Sequence, residues 1–404
     1  DVRAAASADP PSSWPRLEPS DPVAVVWTSG TTGLPKGAVF DHDNLRAVAD
    51  GTDVLSHPGG RRLSPLPFAH VGSMTRLWDE AVHRVTTVIT PTPWRAAAAV
   101  SVMVGERITV AQGVPTQWAL VLEEPGLDGA DLAALRIVGT GAARVPPELV
   151  AALQRRLGVP VVVRYTSTEA SLGTGTRPGD AADVVATTVG RPVPGVELEI
   201  AGHDGDEMPA DVGQVGRVRL RSGAVMRGYW GGPPSGPGAE GLTLDVEATR
   251  AVLDEDGWLT TGDLGALDAA GNLHLAGRST EMYIRGGYNV YPAEVEAVLG
   301  GHPDVEAVAV LSAPDPVLGE VGVAVVVPVV GAGVDPGRLL AELRAVVADR
   351  LADYKSPDQL ALVDALPLTP MMKVDKAELA ERLARGLPVE AARGAPAATG
   401  ARSR

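Results

Sequence analysis

An apolar run, Val23-Ala24-Val25-Val26-Trp27, breaks off into Thr28-Ser29-Gly30-Thr31-Thr32-Gly33-Leu34-Pro35-Lys36-Gly37. The run reads as a buried strand, and hydroxyls, glycines and one lysine then crowd into a tight loop. The glycines let the backbone turn its N–H groups toward an anion. Thr28, Ser29, Thr31 and Thr32 add hydroxyl donors, and Lys36 adds a point charge. Such a loop suits a polyphosphate. It is not the G-x-x-x-x-G-K-[ST] loop, because Gly30 is followed by Gly33 and Lys36 by Gly37 rather than a hydroxyl. Composition alone leaves open an ordinary Gly/Thr connection between a strand and a helix.

Lysine occurs at four positions only, Lys36, Lys355, Lys373 and Lys376, and arginine supplies the other cations. A chain that avoids lysine yet keeps one in this loop is expected to use it. The net charge of -15 argues against nucleic acid or an anionic membrane as a partner, so an anionic ligand needs locally concentrated positive charge. With no cysteine there is no disulfide framework, thiolate metal site or cysteine nucleophile. No run is long enough to span a bilayer and no signal peptide opens the chain, so the expectation is a cytoplasmic protein with no integral membrane segment. At 404 residues at least two folding units are expected.

Other apolar runs end in similar clusters. Val161-Val162-Val163-Arg164-Tyr165-Thr166-Ser167-Thr168-Glu169 closes on an aromatic, three hydroxyls and a carboxylate. Tyr165 can stack on a base, Thr168 can bond a phosphate, and Glu169 is a hard oxygen ligand suited to Mg2+; alone, such a Thr-Glu pair is more often surface. Ile137-Val138-Gly139-Thr140-Gly141-Ala142-Ala143 closes on small residues, against which a flat ring can lie. A tight strand-to-helix turn is the plainer reading, since Pro146 and Pro147 open a helix, and both can hold. In Gly257-Trp258-Leu259-Thr260-Thr261-Gly262-Asp263-Leu264-Gly265, Asp263 on a Gly-flanked turn can accept bonds from two ribose hydroxyls, with an Asx-turn as the alternative. Asp41-His42-Asp43-Asn44 reads as a helix start, residues 213–220 alternate as a strand, residues 305–311 and 321–330 are β-branched, and residues 336–351 are helical.

The first loop resembles the phosphate loop of the AMP-forming acyl-adenylating enzymes: acyl-CoA synthetases, peptide-synthetase adenylation domains and luciferases. Tyr165 to Glu169 is similar to that family's Tyr-Gly-x-Thr-Glu motif, with Thr166 where glycine is common. The motifs follow in family order from Val23 to Leu383. The resemblance implies an α/β fold. A large multi-layer α/β domain, residues 23–277, would follow a flexible lead-in of residues 1–22. A small mobile α+β C-terminal domain, residues 278–385, would precede a disordered tail of residues 386–404. Family members carry a substantial region before the phosphate loop, whereas this chain starts at Asp1 and reaches it at once; the resemblance implies a fragment or truncated gene model, incomplete at its N-terminus.

The resemblance also implies roles. ATP would lie on Thr28, Ser29, Gly30, Thr31, Thr32, Gly33 and Lys36, with adenine against Gly141, Ala142, Ala143, Tyr165 and Thr166. Asp263 would bind the ribose, Arg278 would reach the nucleotide, and Thr168 and Glu169 would serve phosphate and Mg2+. His70 matches the family histidine beside the acyl pocket, one residue closer to its glycine than usual. Val71, Gly113, Gly139, Thr140 and Leu172 would approach the acyl group with it. Lys373 would catalyse adenylation, with Met372 in the usual glycine position. Thr280 occupies the hinge position, where Asp or Lys is usual, and Gly286-Gly287-Tyr288 would pass the CoA pantetheine arm. The implied enzyme is an acid–thiol ligase that activates a small carboxylic acid with ATP and Mg2+ and transfers the acyl group to CoA. Transfer to an acyl carrier protein, a nucleotide-binding remnant and an interaction domain within a larger assembly are the alternatives. Arg76 is open to two readings: partner of a second carboxylate on the acid, or a solvated arginine, the ordinary expectation.

Overall fold

The computed structural model describes residues 16–28, 35–143, 145–202, 210–233, 242–331, 333–369 and 372–392. The chain opens with two antiparallel strands, β1 (Pro22–Trp27) and β2 (Gly37–Asp41), so the first loop joins a hairpin rather than a strand and a helix. Thr28 and Lys36 close its mouth: the Thr28 N–H donates to the Lys36 carbonyl at 2.9 Å, and the Lys36 N–H to Thr28 Oγ1 at 3.0 Å. Ser29, Gly30, Thr31, Thr32 and Gly33 lie outside the described residues. Asp41 then caps α1 (His42–Gly51) in a reciprocal box with Asn44, as the acidic helix start predicts.

Next comes a mostly parallel sheet. It contains β3 (Arg61–Ser64), β4 (Thr86–Ile89), β5 (Val110–Gly113), β6 (Ile137–Gly141) and β7 (Val161–Tyr165), followed by the short β8 (Thr174–Gly175) and β9 (Arg191–Pro192). The spatial order is β4-β3-β5-β6-β7-β8-β9, with β4 through β7 parallel and the last two antiparallel. Between the strands run α2 (Val71–Met74), α3 (Leu77–His83), α4 (Ala96–Gly105), α5 (Pro115–Glu123) and α6 (Pro147–Leu157). Pro147 starts α6 and Gly158, at φ 67°, stops it. Parallel strands are covered on both faces, which accounts for their unbroken apolar runs. On one face Val138, Val161 and Val163 pack with Met103, Trp118, Val121 and Leu153 of the helices; on the other Val110, Ile137 and Val162 pack on Leu55.

Two antiparallel sheets complete the first body. One orders β1-β2-β12-β13 with β12 (Gly228–Gly232) and β13 (Thr243–Asp245). The other orders β10 (Val196–Ala201), β11 (Gly216–Ser222), β14 (Leu259–Leu267) and β15 (Leu273–Arg278). Both feed one core with Phe40, Leu45, Leu172, Leu220 and Tyr229. Asp263 therefore does not sit on a turn: it lies inside β14, opposite Arg278 on β15, next to a register shift between Leu264 and Gly265. A bulge re-aims a strand side chain much as a turn does, and the flanking glycines belong to that irregularity.

The remaining sheet contains β16 (Tyr283–Arg285), β17 (Tyr288–Val290), β18 (Val305–Asp315), β19 (Gly319–Pro328), β20 (Gln359–Leu362) and β21 (Glu390–Ala391). Its order is β17-β16-β19-β20-β21, with β18 also paired to β19. Helices Pro292–Leu299 and Pro336–Arg350 help fill its core, through Val295, Leu299, Leu340 and Leu343, against Val310, Val326 and Leu360. Thr280 is exposed on the short turn between the last strand of the first body and the first strand of this one. Among the described residues no helix is long and apolar enough to cross a membrane.

Candidate active site

The small-residue end of β6 and the hydroxyl-rich end of β7 lie side by side at the carboxyl edge of the parallel strands, where open α/β sheets place ligands. After β7 the chain turns at once: the Ala170 N–H donates to Ser167 Oγ at 3.0 Å and the Ser171 N–H to the Ser167 carbonyl at 3.0 Å. Thr166, Thr168 and Glu169 are held half-buried by this turn. On the β6 side Gly139 and Thr140 are buried, Gly141 and Ala142 close the strand with Ala142 at φ 63°, and Ala143 is exposed. The Thr140 hydroxyl is buried with no hydrogen-bond partner among the described residues.

Tyr165 points to the β14–β15 sheet. Its hydroxyl donates to Asp263 Oδ2 at 2.7 Å, while Arg278 Nε donates to Asp263 Oδ1 at 3.1 Å. Burial, reinforced by the Asp263 charge, pushes the Tyr165 phenol well above its ordinary range, so it is a fixed donor. Residues separated by about a hundred positions thus converge on one carboxylate, whose remaining lone pairs can accept further hydroxyl donors.

Glu169 meets Tyr229, which lies outside the runs singled out in the sequence. Tyr229 donates its hydroxyl to Glu169 Oε1 at 2.7 Å, and burial followed by the Glu169 charge raises that phenol. Lys36 Nζ lies 4.9 Å from the centre of the Tyr229 ring, within cation–π range. Tyr229 therefore ties the lysine of the first loop to the carboxylate after β7. Nothing local in Gly228-Tyr229-Trp230 announces this, because the partners come from distant segments of the chain.

His70 caps the short α2, its Nδ1 accepting the Gly72 N–H at 3.0 Å, which leaves the ring proton on Nε2. Val71 beside it is buried. Burial, then the charge of Lys373, lowers His70 to about 4, so the ring is neutral at pH 7. Lys373 comes from the second body and is half-buried. Burial and then Arg278 pull its ammonium down, while Asp263 opposes them. One lysine thus senses His70, Arg278 and Asp263 together. Its turn is tight: the Thr369 N–H donates to the Lys373 carbonyl at 2.7 Å and the Met372 N–H to the Thr369 carbonyl at 2.8 Å. Met372 sits at φ 59°, a conformation that favours glycine and explains why glycine is usual there.

Gly286 and Gly287, at φ 58° and 88°, form the two-residue connection of the β16–β17 hairpin, a geometry with left-handed backbone at both positions. Their glycines are required by the turn itself. Tyr288 beside them is exposed and stacks on Tyr354 at 4.6 Å.

The sequence pattern described as AMP-binding enzyme matches residues 2–230, and that of the AMP-binding enzyme C-terminal domain matches residues 294–373. The chain is 37% identical over 374 residues to an indoleacetate–CoA ligase of Aromatoleum aromaticum, covering 92% of this chain and 69% of the relative. A feruloyl-CoA synthase of Amycolatopsis sp. is 37% identical over 384 residues, covering 94% of this chain and 73% of the relative. The crystal structure of ATP-bound MatB from Rhodopseudomonas palustris superposes with a TM-score of 0.82 at 29% identity, covering 94% of this chain and 72% of that one. Motif order, architecture and these likenesses agree: the chain belongs to the AMP-binding enzyme family.

Proposed function

We propose that this chain activates a carboxylic acid with ATP, releasing pyrophosphate, and passes the acyl group to the thiol of CoA. A carboxylate is a poor electrophile until one of its oxygens becomes part of a good leaving group. Its oxygen attacks the α-phosphate of ATP, the bond from that phosphorus to the bridging β-oxygen breaks, and acyl-adenylate and pyrophosphate result. The CoA thiol then attacks the acyl carbon, losing its proton, and AMP leaves.

The observation that carries this reading is the position of Lys373 against Asp263, Arg278 and His70. Two anions meet in the first step, and a preorganised cation where their charge builds up favours the transition state. A neutral His70 beside the lysine adds no competing charge. Asp263, already holding Tyr165 and Arg278, is the ribose acceptor, and Gly141, Ala142, Ala143 and Thr166 flank the adenine. Thr168 and the loop that Thr28 and Lys36 close hold phosphate.

Mg2+ fits this donor set. Glu169 offers a carboxylate with one oxygen oriented by Tyr229, and its other oxygen takes no hydrogen bond among the described residues. One carboxylate plus phosphate oxygens is a common magnesium environment. The metal would offset phosphate charge there. Residues 278–385 act as the moving unit that brings Lys373 in for the first step and the Gly286-Gly287-Tyr288 hairpin for the second, turning about Thr280, in a cytoplasmic enzyme.

The test is acid-dependent exchange between ATP and labelled pyrophosphate, with pooled acids from short-chain to aryl. Exchange that requires one pool supports the reading and names the acid class. ATP binding without exchange in any pool overturns it.

A further inference from the structure

Three arginines crowd the sheet face covered by residues 53–55, and they share too few carboxylates. Asp79, fully buried on α3, already accepts three hydrogen bonds. Its Oδ2 accepts from Arg62 Nη2 at 2.5 Å and Ser56 Oγ at 2.8 Å, and its Oδ1 from Thr52 Oγ1 at 3.2 Å. Arg76 comes only within 3.6 Å of the same Oδ2, and Arg164 only within 3.6 Å of Asp53. Neither separation is a hydrogen bond. Arg76 Nη1 and Arg164 Nη2 are buried and have no hydrogen-bond acceptor among the described residues, on side chains only 11% and 13% exposed.

These are built positions. Arg164 Nη1 donates to the Thr176 carbonyl at 3.0 Å, and a Cβ at position 175 would lie 1.5 Å from that nitrogen, so the guanidinium occupies a slot left open by Gly175. Burial, then Arg62, and Arg164 against the opposing pull of Asp79, lower Arg76 to about 9, still charged at pH 7. Both arginines lie in segments next to the proposed site residues, Arg164 on the face of β7 opposite Tyr165, where Val162 packs on Leu55. Arg164 directly precedes Tyr165, Arg76 follows the turn capped by His70, and a hydroxyl pair, Thr75 Oγ1 to Ser171 Oγ at 2.9 Å, ties the two segments together. Buried cations with unspent donors are costly unless an anion completes them.

We propose that Arg76 and Arg164 clamp a second anionic group on the acid, so that the acid activated is a dicarboxylate or a sulfocarboxylate. Planar guanidinium forks suit such a group. The proposal rests on the adenylation reading above and names its substrate class.

Pyrophosphate release is compared within matched pairs: butyrate and succinate, valerate and glutarate, phenylacetate and 4-carboxyphenylacetate. The dianion should win by on the order of 100-fold in kcat/KM in at least one pair, and Arg76→Met or Arg164→Met should lower that ratio by on the order of 30-fold or more. Ratios at or below one in every pair, or ratios unmoved in both variants, overturn the clamp. If a Met variant no longer binds ATP, the corresponding Lys variant, which keeps the charge without the fork, should still lower the ratio by on the order of 10-fold, and an unchanged ratio overturns the clamp. If no acid releases pyrophosphate, it is the adenylation reading that fails. Calorimetric titration of succinate, glutarate and 4-carboxyphenylacetate then decides the clamp. Saturable binding lost in Arg164→Met supports it; no binding, or binding kept in both Met variants, overturns it.

Discussion

At the proposed nucleotide end of the crevice Asp263 already holds two donors, Tyr165 at 2.7 Å and Arg278 at 3.1 Å, whereas at the proposed acid end Arg76 and Arg164 reach carboxylates only at 3.6 Å. The Thr140 hydroxyl, expected beside the acyl group, is likewise buried without a hydrogen-bond partner among the described residues. A region that meets the same ligand in every turnover can be prebuilt with its own charges balanced. A region that selects its ligand can leave charges for the ligand to balance. Selection of this kind is strong, because the wrong acid leaves buried groups unpaired.

The largest effect should come from the one group that belongs to both ends. Lys373→Ala removes the cation that lowers His70 on one side and that itself responds to Arg278 and Asp263 on the other. Exchange between ATP and pyrophosphate should fall on the order of 100-fold or more, for every acid that supports it. A loss confined to some acids would place Lys373 at the acid end only and break the symmetry of the comparison.

Asp263→Ala should act on the nucleotide end alone. It deletes the acceptor of Tyr165 and Arg278, so the KM for ATP should rise on the order of 10- to 100-fold, equally for all acids. Tyr165→Phe keeps the carboxylate and removes one of its donors, and should cost on the order of 5-fold in the same constant. If either variant changes which acid is preferred, the two ends are coupled and the division drawn above is too sharp.

How much of this could be read beforehand follows the same division. The residues proposed to bind the nucleotide stand in short runs, Tyr165 to Glu169 and Thr260 to Gly265, each marked by hydroxyls and a carboxylate. Periodicity also gave part of the second body: residues 305–311 fall within β18, residues 321–330 overlap β19 (Gly319–Pro328), and residues 336–351 match the helix Pro336–Arg350. The element around Asp263 was misread as a turn, because a glycine-flanked carboxylate looks the same in a bulged strand as in a loop. The acid end was barely legible. The sequence favours a solvated Arg76, and its burial overturns that expectation. Arg164 did carry a signal, a charge inside the apolar run Val161 to Tyr165, but its partners Asp53 and Thr176 come from other segments. Tyr229 had none, since its role depends on Glu169 and Lys36 being brought to it by folding.

His70 sets a smaller effect, on stability. Burial and then Lys373 place it at about 4 in the folded chain, against about 6.5 when unfolded. Between those values the unfolded chain binds the extra proton, so stability rises with pH through this window and is lost as pH falls from about 6.5 toward 4. Relative to His70→Gln, the wild type should lose about 2–4 °C more in Tm on going from pH 7 to pH 5. An equal loss in both would mean that His70 is not held neutral, and the acid end would then contain one more cation than it has here.

The smallest effect concerns the turn that delivers Lys373. Met372 adopts φ 59°, which costs an L-residue roughly 1–2 kcal/mol, while glycine there would forfeit roughly 0.5–1 kcal/mol in unfolded-state freedom. Met372→Gly should therefore stabilise the chain by up to about 1 kcal/mol, measured by denaturant midpoint. The two bonds that close the turn, Met372 N–H to the Thr369 carbonyl and Thr369 N–H to the Lys373 carbonyl, involve backbone only and survive the change. Exchange activity should stay within about 2-fold, because the lysine keeps its neighbours. A destabilised variant would show that the Met372 side chain contributes packing larger than the backbone strain. The turn would then be tuned to this crevice as the acid end is, rather than inherited unchanged with the nucleotide end.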